Sequence, residues 1–118
     1  MNKPVYLRLT LCVRSCYLEN LERCKDMLLS GLEKLKQYTR IKNTFEFCFC
    51  YLDVVKDYGT IRHPHLHCFV KAKPGYYNTV SERILRPLWR KCCDLDYDPV
   101  VDITRIEGFF IAEQEDKQ

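Results

Sequence analysis

Between Tyr6 and Arg14 the chain alternates: Leu7, Leu9, Leu11 and Val13 are apolar, with Tyr6, Arg8, Thr10, Cys12 and Arg14 among them. A period of two is that of a half-buried strand, one face packed and the other wet. From about Leu18 to Gln37 the spacing changes. Leu21, Cys24, Leu28, Leu32 and Leu35 recur at three- and four-residue steps among Glu22, Lys25, Glu33, Lys34 and Lys36, which predicts an amphipathic helix. Phe45 to Val55 is aromatic and β-branched, Lys56 to Thr60 carries turn chemistry, and Ile61 to Lys71 is extended again, so a long antiparallel hairpin is expected. A second helix is predicted from about Thr79 to Cys93, with Pro87 kinking it or opening a fresh helix. Tyr97 to Ile106 reads as a fourth strand.

Strands separated by two helices, with a hairpin in the middle, predict an α+β fold in which helices cover one face of an antiparallel sheet. The other face is left for a ligand. On the third strand Leu66, Cys68 and Val70 then point to the helices, while His63, His65, His67, Phe69 and Lys71 share the open face.

With 118 residues, 47% hydrophobic content and a net charge of +3, the chain reads as one domain, residues 1–118, with a real core and a mildly basic surface. The start, MNKPVYLRLTLCVRSC, lacks the apolar segment and small-residue cleavage site of a signal peptide. No apolar run approaches the ~20 residues that span a bilayer, so a cytoplasmic protein with no membrane partner is expected. Eight cysteines in a reducing compartment are then free thiols, mostly core residues. No Cys-x-x-Cys pair is present.

The chemistry concentrates in His63-Pro64-His65-Leu66-His67, which holds all three histidines of the chain. Strand residues rise ~3.3 Å each and alternate faces, so His65 and His67 share a face at a separation one metal ion bridges. A third ligand to a hard cation such as Mg²⁺ or Mn²⁺ should be a carboxylate. Asp53, among Leu52, Val54 and Val55 on the preceding strand, is the candidate, because a carboxylate amid apolar neighbours is costly unless paired or metal-bound. Glu46 competes from earlier on that strand, at the opposite parity, and a solvated edge position is the simpler reading of it. Lys71 and Lys73 follow the histidines, and Arg83, Arg86 and Arg90 fall at helical steps with Lys91 beside them. These five, Lys71, Lys73, Arg83, Arg86 and Arg90, are the candidate phosphate contacts, set against the alternative of a solvated helix face. Phe69 would either stack on an unpaired base or pack.

Four stretches carry a resemblance. They are the strand ending Thr10-x-x-Val13-x-x-Cys16, the His-Pro-His-Leu-His strand, Lys73-Pro74-Gly75-Tyr76-Tyr77, and Asp96-Tyr97-x-Pro99-Val100-Val101-Asp102-Ile103. In that order, from about Leu7 to Ile106, the chain resembles the replication initiator (Rep) proteins of small rolling-circle plasmids, members of the HUH endonuclease superfamily. The resemblance implies an HUH, RRM-like sheet. It also implies metal-assisted nicking of single-stranded or extruded origin DNA, with two histidines and an acidic residue holding a divalent cation and a tyrosine attacking the scissile phosphate. Carried over, His65 and His67 are metal ligands, and Asp53 stands where the family usually has glutamate; His63 has no assigned role.

The family's nucleophile follows the last strand, in a segment resembling Glu-x-x-Lys-Tyr-x-x-Lys, whereas this sequence has no tyrosine after Tyr97. Ala112-Glu113 marks where that helix would begin. A form truncated at the C-terminus is therefore expected, one that keeps the metal site and DNA binding but lacks the nucleophile. Tyr76 and Tyr77 occupy the place of a packing aromatic pair in the family. Expected partners beyond DNA are host replication proteins or the missing segment. Two alternatives stay open: a non-catalytic nucleic-acid-binding module with packed histidines, and a small zinc-binding protein using Cys48, Cys50 and the histidines.

Overall fold

Residues 5–56, 58–73 and 80–106 are described by a computed structural model of the chain. The alternating N-terminal segment forms strand β1 (Val5–Cys12), with Leu7, Leu9 and Leu11 buried. A short strand β2 (Cys16–Tyr17) and a single 3-10 turn lead into helix α1 (Leu21–Leu35). Helix α1 starts three residues later than its periodicity predicts, because Leu18–Asn20 is taken up by the 3-10 turn. Its buried residues, Leu28, Gly31, Leu32 and Leu35, lie along one stripe.

A short helix α2 (Thr39–Thr44) had no signal in its polar sequence; Ile41 alone supplies an apolar anchor. Strands β3 (Phe45–Lys56) and β4 (Ile61–Ala72) form the expected hairpin, with Gly59 at φ +56° in the turn. Helix α3 (Glu82–Cys92) runs through Pro87, and strand β5 (Val101–Ile106) follows. The expected start of that strand at Tyr97 is instead a loop. There Tyr97 Oη accepts the Arg14 backbone N–H at 2.8 Å, and Asp98 pairs with Arg90. Tyr76, Tyr77, the expected helix start at Thr79 and the segment from Glu107 onward lie outside the described residues.

The result is the α+β architecture expected, as a five-stranded antiparallel sheet. Strand β4 is its centre: β3 pairs along one edge, β1 and then β2 along the other, and β5 pairs outside β1. Helices α1 and α3 pack on one face over Leu9, Leu11, Leu66, Cys68, Val70 and Val101.

The helices approach closely at Gly31, where a Cβ would lie 2.6 Å from Cys93 Sγ and 3.2 Å from the Trp89 ring. Both neighbours are buried and have nowhere to move. Gly31→Ala is therefore expected to destabilise the domain by about 1–3 kcal/mol, although alanine is the better helix former. Urea unfolding of the variant measures this, and an unchanged midpoint would show that the helices are free to part.

Candidate functional site

The even residues of β1 and the odd residues of β4 share the sheet face away from the helices. Across the two strands Arg8 pairs with Phe69, Thr10 with His67 and Cys12 with His65. On the other edge of β4, Tyr51 lies opposite His67, Asp53 opposite His65 and Val55 opposite His63. Hairpin register thus brings Asp53 beside the histidine strand.

Glu46 and Asp53 stand at opposite parity in sequence, yet both face this side. A bulge at Cys48 inserts one residue between Phe47 and Phe49 and inverts the alternation. Parity therefore does not separate them. Position does: Glu46 pairs with Lys71, far along the strand from the imidazoles.

The imidazoles are held from both sides. His67 Nδ1 lies 3.3 Å from Thr10 Oγ1, and His67 Nε2 lies 3.8 Å from Asp53 Oδ2, on a carboxylate whose side chain is 51% exposed. His65 Nδ1 lies 3.0 Å from Cys12 Sγ. The His63 and His65 rings are 4.2 Å apart, those of His65 and His67 6.0 Å. Burial, then the neighbouring His63 and His67, depresses the His65 pKa below 6.5, with Asp53 opposing. Burial and then Arg8 do the same to His67, again against Asp53. Both rings are thus neutral near pH 7 and each keeps a lone pair for a metal.

The same shifts set a pH dependence. A histidine whose folded pKa lies below 6.5 binds its proton more readily in the unfolded chain. In the metal-free protein this stability is present above the unfolded value and is lost as pH falls from there through the lower folded values. Urea midpoints should therefore fall below pH 6.5 in the wild type and fall less in His65→Asn/His67→Asn. Parallel profiles would contradict the assignment.

A carboxylate oxygen and an imidazole nitrogen 3.8 Å apart lie within the reach of one cation with bonds of about 2.1 Å. His65 lies directly across from Asp53, so two imidazoles and a carboxylate, the donor types that Mn²⁺ or Mg²⁺ accepts, share one stretch of the face without being gathered as closely as a bound ion requires. The tightest cluster among the described residues is a different one: donor atoms of Cys12, His63 and His65 all lie within 4.8 Å of one another. Sequence reasoning missed Cys12, although its place on the polar parity of β1 was visible. Cys48 and Cys50 do not join the histidines. Cys48 is the bulge residue, and Cys50 faces Cys68 on the helix side. That rules out the zinc site built on those two cysteines.

Other expected contacts separate. Lys71 lies on the histidine face, opposite Glu46 and Tyr6. Lys73 Nζ donates to the Lys42 carbonyl at 2.7 Å, near the end of α2. Arg83, Arg86 and Arg90 belong to α3, in the layer behind the sheet, where Arg90 binds the Leu95 carbonyl and Asp98. Phe69 is only 6% exposed and stacks on Phe49 with centroids 4.5 Å apart. The outward aromatic is Tyr51, 48% exposed and 5.1 Å from the His67 ring. Arg8 was also missed. Its Nε is buried on this face without a hydrogen-bond partner among the described residues.

The chain is thus an α+β protein whose antiparallel sheet carries helices on one face and imidazoles, a carboxylate, a thiol and an arginine on the other. The particular family follows from comparison. The family model described as replication protein matches residues 1–117, and the chain belongs to that family. It is 32% identical over 106 residues to a protein rep of a Bacillus species, covering 87% of this chain and 34% of that protein. It is equally 32% identical over 106 residues to a protein rep of Bacillus amyloliquefaciens, covering 87% and 31%. A replication protein of Staphylococcus aureus is 29% identical over 107 residues, covering 86% and 46%. The chain thus spans about a third to a half of the length of these relatives. No helix among the described residues is long and apolar enough to cross a membrane.

Proposed function

We propose that this chain is the metal- and DNA-binding part of a rolling-circle plasmid replication initiator of the HUH type. The observation that carries the reading is the meeting of His65, His67 and Asp53 on one open sheet face. His65, His67 and Asp53 would hold a divalent cation, Mn²⁺ or Mg²⁺, which when bound supplies Lewis acidity to a scissile phosphate.

The chain's own residues do the rest. Thr10 fixes the His67 ring through Nδ1, leaving Nε2 toward Asp53. Arg8 places a guanidinium on this face whose Nε–H has no acceptor among the described residues, and the guanidinium would pair with a backbone phosphate of single-stranded or extruded origin DNA. Lys71 extends the positive edge, and Tyr51 presents a ring on which an unpaired base stacks. The attacking tyrosine is supplied from outside the described residues or by another polypeptide, and host replication proteins act on the nicked strand.

Mn²⁺ calorimetry tests the metal site, with His67→Ala and Asp53→Asn alongside the wild type. Wild-type binding is expected, weakened by about 10–100-fold in each variant, at least the effect of losing a supporting partner. Anisotropy of a labelled single-stranded hairpin tests the DNA arm. Arg8→Ala should weaken binding and reduce the salt slope by about one. DNA binding with no Mn²⁺ binding would replace this reading with that of a non-catalytic nucleic-acid-binding module. Failure of both would remove the function from this sheet face.

A further inference from the structure

The hard-cation ligand set leaves two side chains of the same face unused, Cys12 and His63. They stand on either side of His65. Cys12 Sγ is 3.0 Å from His65 Nδ1, the His63 ring packs 4.2 Å from the His65 ring, and the three donors lie within 4.8 Å of one another. We infer that Cys12, His63 and His65 form a second metal site, for a thiophilic divalent ion such as Zn²⁺, and that it shares His65 with the Mn²⁺ or Mg²⁺ site.

Tetrahedral zinc separates its sulfur and nitrogen donors by about 3.3–3.6 Å. Donors within 4.8 Å of one another therefore need to close by no more than about 1.5 Å, which side-chain rotation supplies, to surround an ion. A thiolate with two imidazoles is a soft, nitrogen-rich donor set that selects zinc, cobalt or copper over magnesium. Three protein ligands leave a fourth position for water or a phosphate oxygen. On binding, the Cys12 sulfur forms its bond to the metal and releases its proton to solvent.

The thiol is set in place by its backbone. The Cys12 carbonyl accepts Trp89 Nε1–H at 2.9 Å, and the Cys12 N–H donates to the Val100 carbonyl at 3.1 Å. Helix α3 and the start of β5 thereby hold the end of β1 in register with His65. Supporting bonds of this kind are what keep a ligand aimed at its metal.

Sharing His65 has a consequence. A neutral imidazole has one lone-pair nitrogen, and a metal on Nδ1 leaves the proton on Nε2. Zinc at Cys12 therefore denies His65 to the cation held with His67 and Asp53. The inhibition, though not the zinc site itself, rests on the function proposed above. Zinc would act as a competitor that silences the hard-metal site without covering the DNA face.

Co²⁺ is the probe, because a cobalt–thiolate bond gives a charge-transfer absorption that imidazole and carboxylate ligands do not. Wild-type protein titrated with Co²⁺ should show that absorption; Cys12→Ser should lose it and Cys48→Ser/Cys50→Ser should keep it. His63→Gln should weaken Co²⁺ by about tenfold or more, with the single tryptophan, Trp89, reporting that the fold is intact. Co²⁺ bound without the absorption, or an absorption that survives Cys12→Ser, would overturn the site. Electron paramagnetic resonance of free Mn²⁺ reads the competition. Zn²⁺ should release Mn²⁺ from the wild type but much less from Cys12→Ser. Equal release from both would overturn the sharing. If Mn²⁺ never binds while the cobalt–thiolate absorption is present, the zinc site stands and the nuclease reading falls.

Discussion

Trp89→Ala is expected to cost about 3–5 kcal/mol, the largest stability loss of any single substitution proposed here. Trp89 is 0% exposed, and its ring lies 3.2 Å from where a Cβ at position 31 would be, so α1 and α3 meet against it. Removing it leaves a cavity between the helices that Gly31 cannot fill. It also strands the Cys12 carbonyl, which accepts the indole N–H at 2.9 Å inside the core. Domains are stable by only about 5–15 kcal/mol, so the variant should sit close to unfolding at ambient temperature. Trp89→Phe separates the two contributions, because it keeps most of the volume and loses the hydrogen bond. Guanidinium unfolding followed by far-ultraviolet circular dichroism measures both. A small effect of Trp89→Ala would mean the helices collapse onto the gap.

His65→Ala should produce the largest functional effect. It is the one substitution predicted to remove both the Mn²⁺ and the Co²⁺ responses, each weakened by more than about 100-fold, beyond what loss of a supporting outer group does. His67→Ala and Cys12→Ser should each remove one response and spare the other. The asymmetry comes from geometry: His65 has Cys12 across one strand edge and Asp53 across the other, whereas His67 has Thr10 and Tyr51 opposite it. His65 is only half-buried, so the fold should persist. Calorimetry with each metal on the three variants distinguishes the patterns. Retention of either metal by His65→Ala would show that the two sites do not share this imidazole.

Much of this architecture was open to reading along the chain. Alternation in β1 and in the histidine strand assigns faces correctly, since side-chain direction in a strand depends on position parity alone. The leucine stripe of α1 likewise marks its buried side. Strand β2 is only Cys16–Tyr17, and α2 has a single buried apolar anchor in Ile41, so neither has a period long enough to read. Pro87 was legible as a disturbance but not as one that α3 tolerates within its length.

The candidate site divides in the same way. The histidine spacing and the place of Asp53 on a hairpin partner pointed to a metal, and motif order pointed to the replication-protein family. Arg8 and Cys12 were visible only as polar positions of β1. Their importance depends on β1 lying next to β4, a pairing between residues more than fifty positions apart. The fates of Lys73 and Arg90 depend on backbone carbonyls supplied by α2 and by the loop before β5.

By itself, then, the sequence determined which residues of β1 and β4 share a face, that a layer of helices covers one side of a sheet, and which family the chain belongs to. Each of these follows from local periodicity or motif order. The tertiary structure alone decided which faces become neighbours: Cys12 with His65, Asp53 with both imidazoles, Glu46 turned to the histidine side yet out of reach. Strand order and the bulge at Cys48 set that register, and both arise from burying the leucine side of the sheet under α1 and α3, a constraint that acts on the whole chain at once.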